Sequence, residues 1–430
     1  MTGKASAGRR FARGMLVTGL MLSQVAWAAS PNLCQGVSTD LNDHPMPLNP
    51  RPQKGQPFQD PRFHTRVVRI TDVQMETGKT GVRKPMYPTV AAWNADESLM
   101  ILYQTAGLSG SGLPSQHLLY DGKTYRFRQV LEISPSDLEH IYWDAKDPDV
   151  LYYPSIAHVG GQAASQLIRY TVSTGIKEVL ADFPECAREG KLGFGHPKYM
   201  AWNGTALGLR CTLGGDRGAR TTWFNLTTRK AGDWVEDRNG GGLQVAPSGK
   251  LAVRGSDIID LTRGMAPVRR MKGKWDEHAT LAPLANGNDA QVSSQFDVKP
   301  FGNIVVENLN TGEVKVVIGP DKGHGYPRTG SHVSTVAWRA PGWVAVSMVG
   351  KLQGEKLFDQ EIALANIDTG VVCRVAHHHS SGRAGPQKYW AEPQVVISPS
   401  GDRMLFSSDW HGSPNVDTYV IELPSRQKDR

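Results

Sequence analysis

The chain has 430 residues and a formal charge of +7, with 39% hydrophobic residues, 46 Gly, 27 Pro and 11 Trp. That length holds either two or three ordinary domains or one repeat fold that uses nearly all of it. The glycine and proline content favours many short strands joined by tight turns, and no long amphipathic helical stretch follows the N-terminal segment.

Residues 1–28 have the form of a secretory signal peptide. Lys4, Arg9, Arg10 and Arg13 precede the apolar run from Met15 to Leu22, and Ala26-Trp27-Ala28 is a small-residue cleavage site, so cleavage is expected after Ala28. The leader holds four cations and no acids; taking those four from +7 leaves +3, too small an excess to point to nucleic acid. No second apolar run reaches membrane-spanning length. A periplasmic or secreted protein with no integral membrane segment after leader removal is therefore expected. Four cysteines in such a compartment permit disulfides, and three pairings are open. Cys186 and Cys211 flank one strand region and could pair locally; Cys34 and Cys373 would then join the N-terminal segment to a late repeat.

Residues 29–62 read as an irregular, proline-rich segment. The alternating stretch from Thr65 to Thr71 reads as a strand. From there a phrase recurs: a polar residue, then a turn seven to ten residues later. Tyr87 precedes Trp93-Asn94-Ala95-Asp96, His140 precedes an Asp-Pro-Asp turn, His196 precedes Trp202-Asn203-Gly204, His278 precedes Asn286-Gly287-Asn288, His332 precedes Pro341-Gly342, and Glu392 precedes Pro399-Ser400-Gly401. A second phrase closes most units, as in Glu307-Asn308-Leu309-Asn310-Thr311-Gly312 and Ala365-Asn366-Ile367-Asp368-Thr369-Gly370. It has the form of a strand, a polar turn and a second strand, the outer hairpin of a four-stranded blade. With a degenerate copy near Gly241, the inner-strand markers number seven. The fold class is thus all-β, a seven-bladed β-propeller over residues 63–424, with a short tail at 425–430. The last unit lacks one outer strand, and the early strand around Val67 to Ile70 is expected to complete it and close the ring.

The run from Tyr389-Trp390-Ala391-Glu392-Pro393 through Val396 to Asp402 and on to Trp410 resembles the blade phrase of TolB-like propellers. Together with Arg66 to Asp72 and His332-Val333-Ser334, it is similar to the oligogalacturonate lyase group of seven-bladed propellers. The resemblance implies β-elimination in uronic-acid oligosaccharides, assisted by a divalent metal, typically manganese, that histidines and a glutamine hold in the central funnel. That group's late-blade motif of one Gln and two His falls here on Tyr389, Glu392 and Gln394, and His332 matches a ligand by type.

Residues at equivalent places on the inner strands face one mouth of a propeller, so they can converge although they span the chain. His332, Glu392 and Gln394 are the expected metal ligands, and the mixed nitrogen and oxygen donors suit Mn or Zn better than Ca. His196 and His278 are the catalytic candidates; Tyr87, His140, His324, Arg328 and Tyr389 are the substrate-binding candidates. The alternative is that the histidines bond to neighbouring-blade carbonyls and hold the blades in register. His377-His378-His379 reads mostly as exposed hairpin, and Ser380 to Tyr389 as a segment able to fold over the mouth. Two functions follow: an exported lyase-like protein acting on an acidic oligosaccharide, or a non-catalytic TolB-like propeller that binds a periplasmic protein or a glycan.

Overall fold

The computed structural model describes residues 1–3, 31–159, 162–195, 200–215, 217–237, 241–272, 278–295, 302–324 and 332–424. Residues 4–28 of the leader, the C-terminal tail, His196 and Arg328 fall outside them. Seven small antiparallel sheets follow one another along the chain, each ordered from an innermost to an outermost strand. Blade 1 runs Val82–Lys84, Leu99–Thr105, Gln116–Asp121, Phe127–Val130. Blades 2, 3 and 4 begin with Tyr142–Trp143, Gly190–Gly193 and Gln244–Val245, and blades 5, 6 and 7 with Ala279–Pro283, His332–Ser334 and Val396–Ile397. The protein is a seven-bladed β-propeller.

The recurrent outer phrase works through the side chain of its asparagine. Asn308 Oδ1 accepts from the backbone N–H groups of Asn310 and Thr311 at 2.9 and 3.1 Å, and Asn366 Oδ1 does the same for Asp368 and Thr369 at 3.1 and 2.9 Å. Such a side chain imitates a backbone turn and reverses the strand within a few residues. Gly312 and Gly370 then close the turn at φ 76° and 77°, where a side chain would be strained.

Middle strands lie between neighbouring blades and are covered on both faces: Trp343–Met348 and Glu361–Asn366 are buried along their whole length. The outermost strands Phe127–Val130 and Pro267–Arg270 are mostly exposed. The core is accordingly a series of contacts between blades. One cluster joins Ala345 and Leu364 of blade 6 to Val396 and Leu405 of blade 7 and to Met100 and Leu102 of blade 1.

The ring closes as the sequence predicts. Arg66–Arg69 pairs antiparallel with the last strand, Asp417–Glu422, in the register Arg66 to Glu422 and Arg69 to Tyr419. Pro57–Gln59, inside the segment read as irregular, adds a fifth strand outside it. Buried Asp417 anchors the join: its carboxylate accepts from Arg69 Nη2 at 2.7 Å, Thr71 Oγ1 at 2.9 Å and the Val73 N–H at 3.0 Å, and it pairs with Arg51. Both disulfides form, Cys186 to Cys211 and Cys34 to Cys373, the latter fastening the N-terminal segment to the outer strand of blade 6. Disulfides fit an oxidising compartment. Among the described residues, no helix is long and apolar enough to cross a membrane.

Along the axis, Thr89, Tyr142, Trp202, Thr280, Thr335 and Trp338 of five blades enclose a cavity of only about 40 Å³. The rings of Trp202 and Trp338 meet edge to face at 6.4 Å and plug the axis at this level. Thr89, Thr280 and Thr335 follow Tyr87, His278 and His332 by two or three residues, so the marked polar residues stand just above the plug.

Candidate functional site

Four blades bring their marked residues together at one mouth. The imidazoles of His278 and His332 stack with centroids 4.0 Å apart, and Tyr87 meets both edge to face, at 6.4 and 5.5 Å. His332 Nε2 lies 3.8 Å from Glu392 Oε2, and both side chains are buried. Blades 1, 5, 6 and 7 thus each contribute one residue of this group. His332 is held by its pairing with Ser347 in blade 6. Glu392 caps the 3₁₀ turn Lys388–Ala391, its N–H donating to the Tyr389 carbonyl at 3.0 Å. His278 and Gln394 take φ values of 26° and 38°, uncommon for residues with a side chain. Backbone strain of this kind persists where the surroundings over-determine it, as at binding sites.

Lys84, the last residue of the inner strand of blade 1, enters the same group. Its side chain is fully buried, and Nζ donates to Gln394 Oε1 at 2.6 Å. The ammonium also lies 5.8 Å from the centre of the Tyr389 ring, close enough for a cation–π attraction. Burial pushes it down to about 8, against the opposing pull of Glu139 and Glu392, so it stays largely protonated at neutral pH. Burial likewise pushes Glu392 above the usual carboxylate range, while Arg383 and Lys84 pull it down. The phenols of Tyr87 and Tyr389 are raised by burial and hold their protons.

The segment from Ser380 to Tyr389 crosses the rim between blades 7 and 1 as two short 3₁₀ turns. The Ser381 N–H donates to Asp409 Oδ1 at 2.7 Å, Gln387 Nε2 donates to the Pro414 carbonyl at 2.8 Å, and Gln387 Oε1 accepts from the Leu108 N–H at 2.9 Å. Gly385 is required here, because a Cβ would lie 2.2 Å from Asp409 Oδ2. The segment carries Arg383, whose Nε donates to Glu392 Oε1 at 2.6 Å while 71% of its side chain stays accessible. Tyr389 is 40% exposed. The mouth therefore has a buried floor of Lys84, His332, Glu392 and Gln394 and an accessible edge of Arg383 and Tyr389.

The other predicted residues stand differently. His140 packs on Phe194 of blade 3 with centroids 5.8 Å apart, and Gly193 makes room for it, since a Cβ there would lie 2.7 Å from His140 Cε1. His324 packs on Phe358 at 5.9 Å, and burial lowers its basicity. The tract His377-His378-His379 is not the exposed hairpin that its composition suggests, because all three are buried at the end of blade 6 beneath the N-terminal segment. His377 Nε2 shares a hydrogen bond with the His44 carbonyl at 3.1 Å, and His379 stacks on Trp410 with centroids 4.1 Å apart. Lys84 and Arg383 are side chains of this mouth that the repeat did not reveal.

No family model matches the chain, and no curated protein matches it. Solved structures do. An oligogalacturonate lyase in complex with manganese superposes with TM-score 0.59 at 16% identity, over 86% of this chain and 96% of that chain. In fold, the chain resembles the solved oligogalacturonate lyases. A second, from Vibrio parahaemolyticus, gives TM-score 0.59 at 14% identity over 86% of this chain and 97% of that one. TolB from Acinetobacter baumannii reaches a TM-score of only 0.34, too low to carry an argument.

The donor set can be tested for a divalent ion. Two donors on one ion, with bonds of about 2.1 Å, stand roughly 3–3.5 Å apart; His332 Nε2 and Glu392 Oε2, at 3.8 Å, are slightly wider. Glu392 Oε2 is buried with no hydrogen-bond partner, which leaves it available. The carbonyl of Gln394, however, is turned to the Lys84 ammonium. Among the described residues, no group of three His, Cys, Asp or Glu side chains could hold a metal. With Lys84 in place, His332, Glu392 and Gln394 do not fit a divalent ion as a set of three.

Proposed function

We propose that this protein is an exported, carbohydrate-active propeller that takes an acidic, uronate-containing oligosaccharide at the mouth formed by blades 1, 5, 6 and 7 and cleaves it by β-elimination. The observation that carries the reading is the convergence of two cations, Lys84 and Arg383, on a mouth that also holds stacked imidazoles and an accessible tyrosine ring. The fold likeness to oligogalacturonate lyases, one of them solved in complex with manganese, supports an acidic oligosaccharide as the ligand. Fold alone does not assign chemistry, so the residues must carry the argument.

Elimination removes the proton beside the uronate carboxylate and expels the glycosidic oxygen from the neighbouring carbon, leaving an unsaturated sugar. Arg383, accessible at the rim, pairs with the ligand carboxylate; its planar guanidinium suits that group. Neutralising the carboxylate makes the adjacent proton easier to remove. His278, half-buried and stacked on His332, takes the proton, and Tyr87, which keeps its own, donates to the departing oxygen. Tyr389 offers its ring as a face for the sugar.

An ultraviolet assay for unsaturated uronate across a panel of acidic oligosaccharides, run beside calorimetric binding, tests the reading. Product is expected on at least one member, and Arg383→Ala should weaken binding about 10–100-fold, the effect of losing one charged hydrogen bond of about 1.5–3 kcal/mol. Binding without product would leave a glycan-binding propeller, and neither binding nor product on any member would remove the carbohydrate reading.

A further inference from the structure

The side chain in this mouth with the least obvious reason to be there is Lys84. An ammonium is seldom fully buried, because removal from water is unfavourable unless anions or dipoles replace the solvent. Here Lys84 sits at the end of an inner strand, fixed by backbone pairing with Tyr103. Its Nζ meets the Gln394 carbonyl at 2.6 Å and the Tyr389 ring at 5.8 Å, and the buried carboxylate of Glu392 attracts it. Gln394 holds φ at 38° while accepting this bond. The arrangement gives a buried positive charge on the Gln394 carbonyl and within the attraction of Glu392, rather than a long cation reaching for solvent.

These are the groups that would otherwise coordinate a cation from solution. An ion about 2.2 Å from Gln394 Oε1 would stand within roughly 5 Å of the ammonium, close enough for strong repulsion in a site that excludes water. The second lone pair of the Gln394 carbonyl could face such an ion only at that separation from the ammonium, so charge repulsion, not a lack of donors, opposes the metal. We propose that Lys84 is the resident cation of this mouth: its ammonium stands in charge and position where a divalent metal would sit among His332, Glu392 and Gln394, so the protein receives its acidic ligand without a metal. The inference rests on the acidic-ligand reading for its purpose, although its test reads metal binding alone.

The test titrates Mn²⁺ and Zn²⁺ separately into the chelator-treated full chain by calorimetry, with elemental analysis after dialysis. Wild type should hold no stoichiometric metal and show no saturable binding at micromolar concentrations. Lys84→Met, which keeps the length and removes the charge, should bind at least one of the two ions at least tenfold more tightly than wild type, and adding His332→Ala should abolish that gain. About one equivalent of metal retained by wild type and lost in His332→Ala would overturn the proposal. So would a folded Lys84→Met, judged by circular dichroism, that gains no metal. If Lys84→Met does not fold, wild type compared with His332→Ala alone can still overturn the proposal. A protein that binds no acidic glycan but behaves as stated toward metal would refute the acidic-ligand reading and leave Lys84 as the resident cation.

Discussion

Acidification through the histidine range should destabilise this fold; the tract His377-His378-His379 carries the largest shifts, and His117, His324 and His411, also lowered by burial, act in the same direction. Burial pushes the three imidazoles down to about 3, 4 and 2 respectively, with neighbouring positive groups adding to the shift. An unfolded histidine titrates near 6.5. The folded values lie below the unfolded one, so the stabilisation is complete above about pH 6.5 and is lost as pH falls from there toward the folded values. In that window each ring takes up its proton only on unfolding, and three rings give a limiting slope of about 4 kcal/mol per pH unit. Asp60 and Asp409, beside the tract, are raised by burial and act in the opposite direction at lower pH, which makes the range from about 6.5 to 5 the most informative. The assay is urea unfolding followed by tryptophan fluorescence at several pH values, on wild type and on His378→Gln. His378 shares a hydrogen bond with the Met348 carbonyl at 3.1 Å through Nε2 and accepts from the Ser380 N–H at 3.0 Å through Nδ1. Glutamine retains part of this bonding but does not titrate, so the slope should fall by about 1.4 kcal/mol per pH unit. Stability that stays flat from pH 7.5 to 5, or a slope identical in His378→Gln, would refute the reasoning.

Other perturbations address ring closure. Asp417→Ala leaves Arg51 and Arg69 without their shared buried carboxylate and should destabilise the protein by about 3–5 kcal/mol, read as a lower urea midpoint. Replacing Cys34 and Cys373 together by serine removes a link between positions 339 residues apart and should lower stability by about 2–5 kcal/mol, visible as a drop in Tm relative to oxidised wild type.

The blade count and the closing strand were legible because both depend on repetition and on edges that must be paired. Asn308 and Asn366 announce their hairpins locally, through side-chain bonds that span only two or three residues. The marked residues also indicated where the mouth lies, because Tyr87, His278, His332 and Glu392 hold equivalent places on inner strands. Lys84 escaped because it precedes Tyr87 by three residues and its importance depends on Gln394, 310 positions away. The burial of His377 to His379 was equally hidden. It comes from the N-terminal segment, through His44, and from Phe63 just after it, whose ring lies 5.0 Å from that of His377, and no periodicity in the chain encodes such a cover.

The pairing of Arg66 with Glu422, 356 positions apart, also sets a timetable for synthesis. A ribosome adding about 5–20 residues per second needs on the order of 20–70 s to pass from one partner to the other. Until the last strand emerges, Arg66–Arg69 has only Pro57–Gln59 to pair with and blade 7 holds only its two inner strands, so the nascent chain remains an open arc. The final dozen residues of the described chain therefore act as the latch of the whole ring.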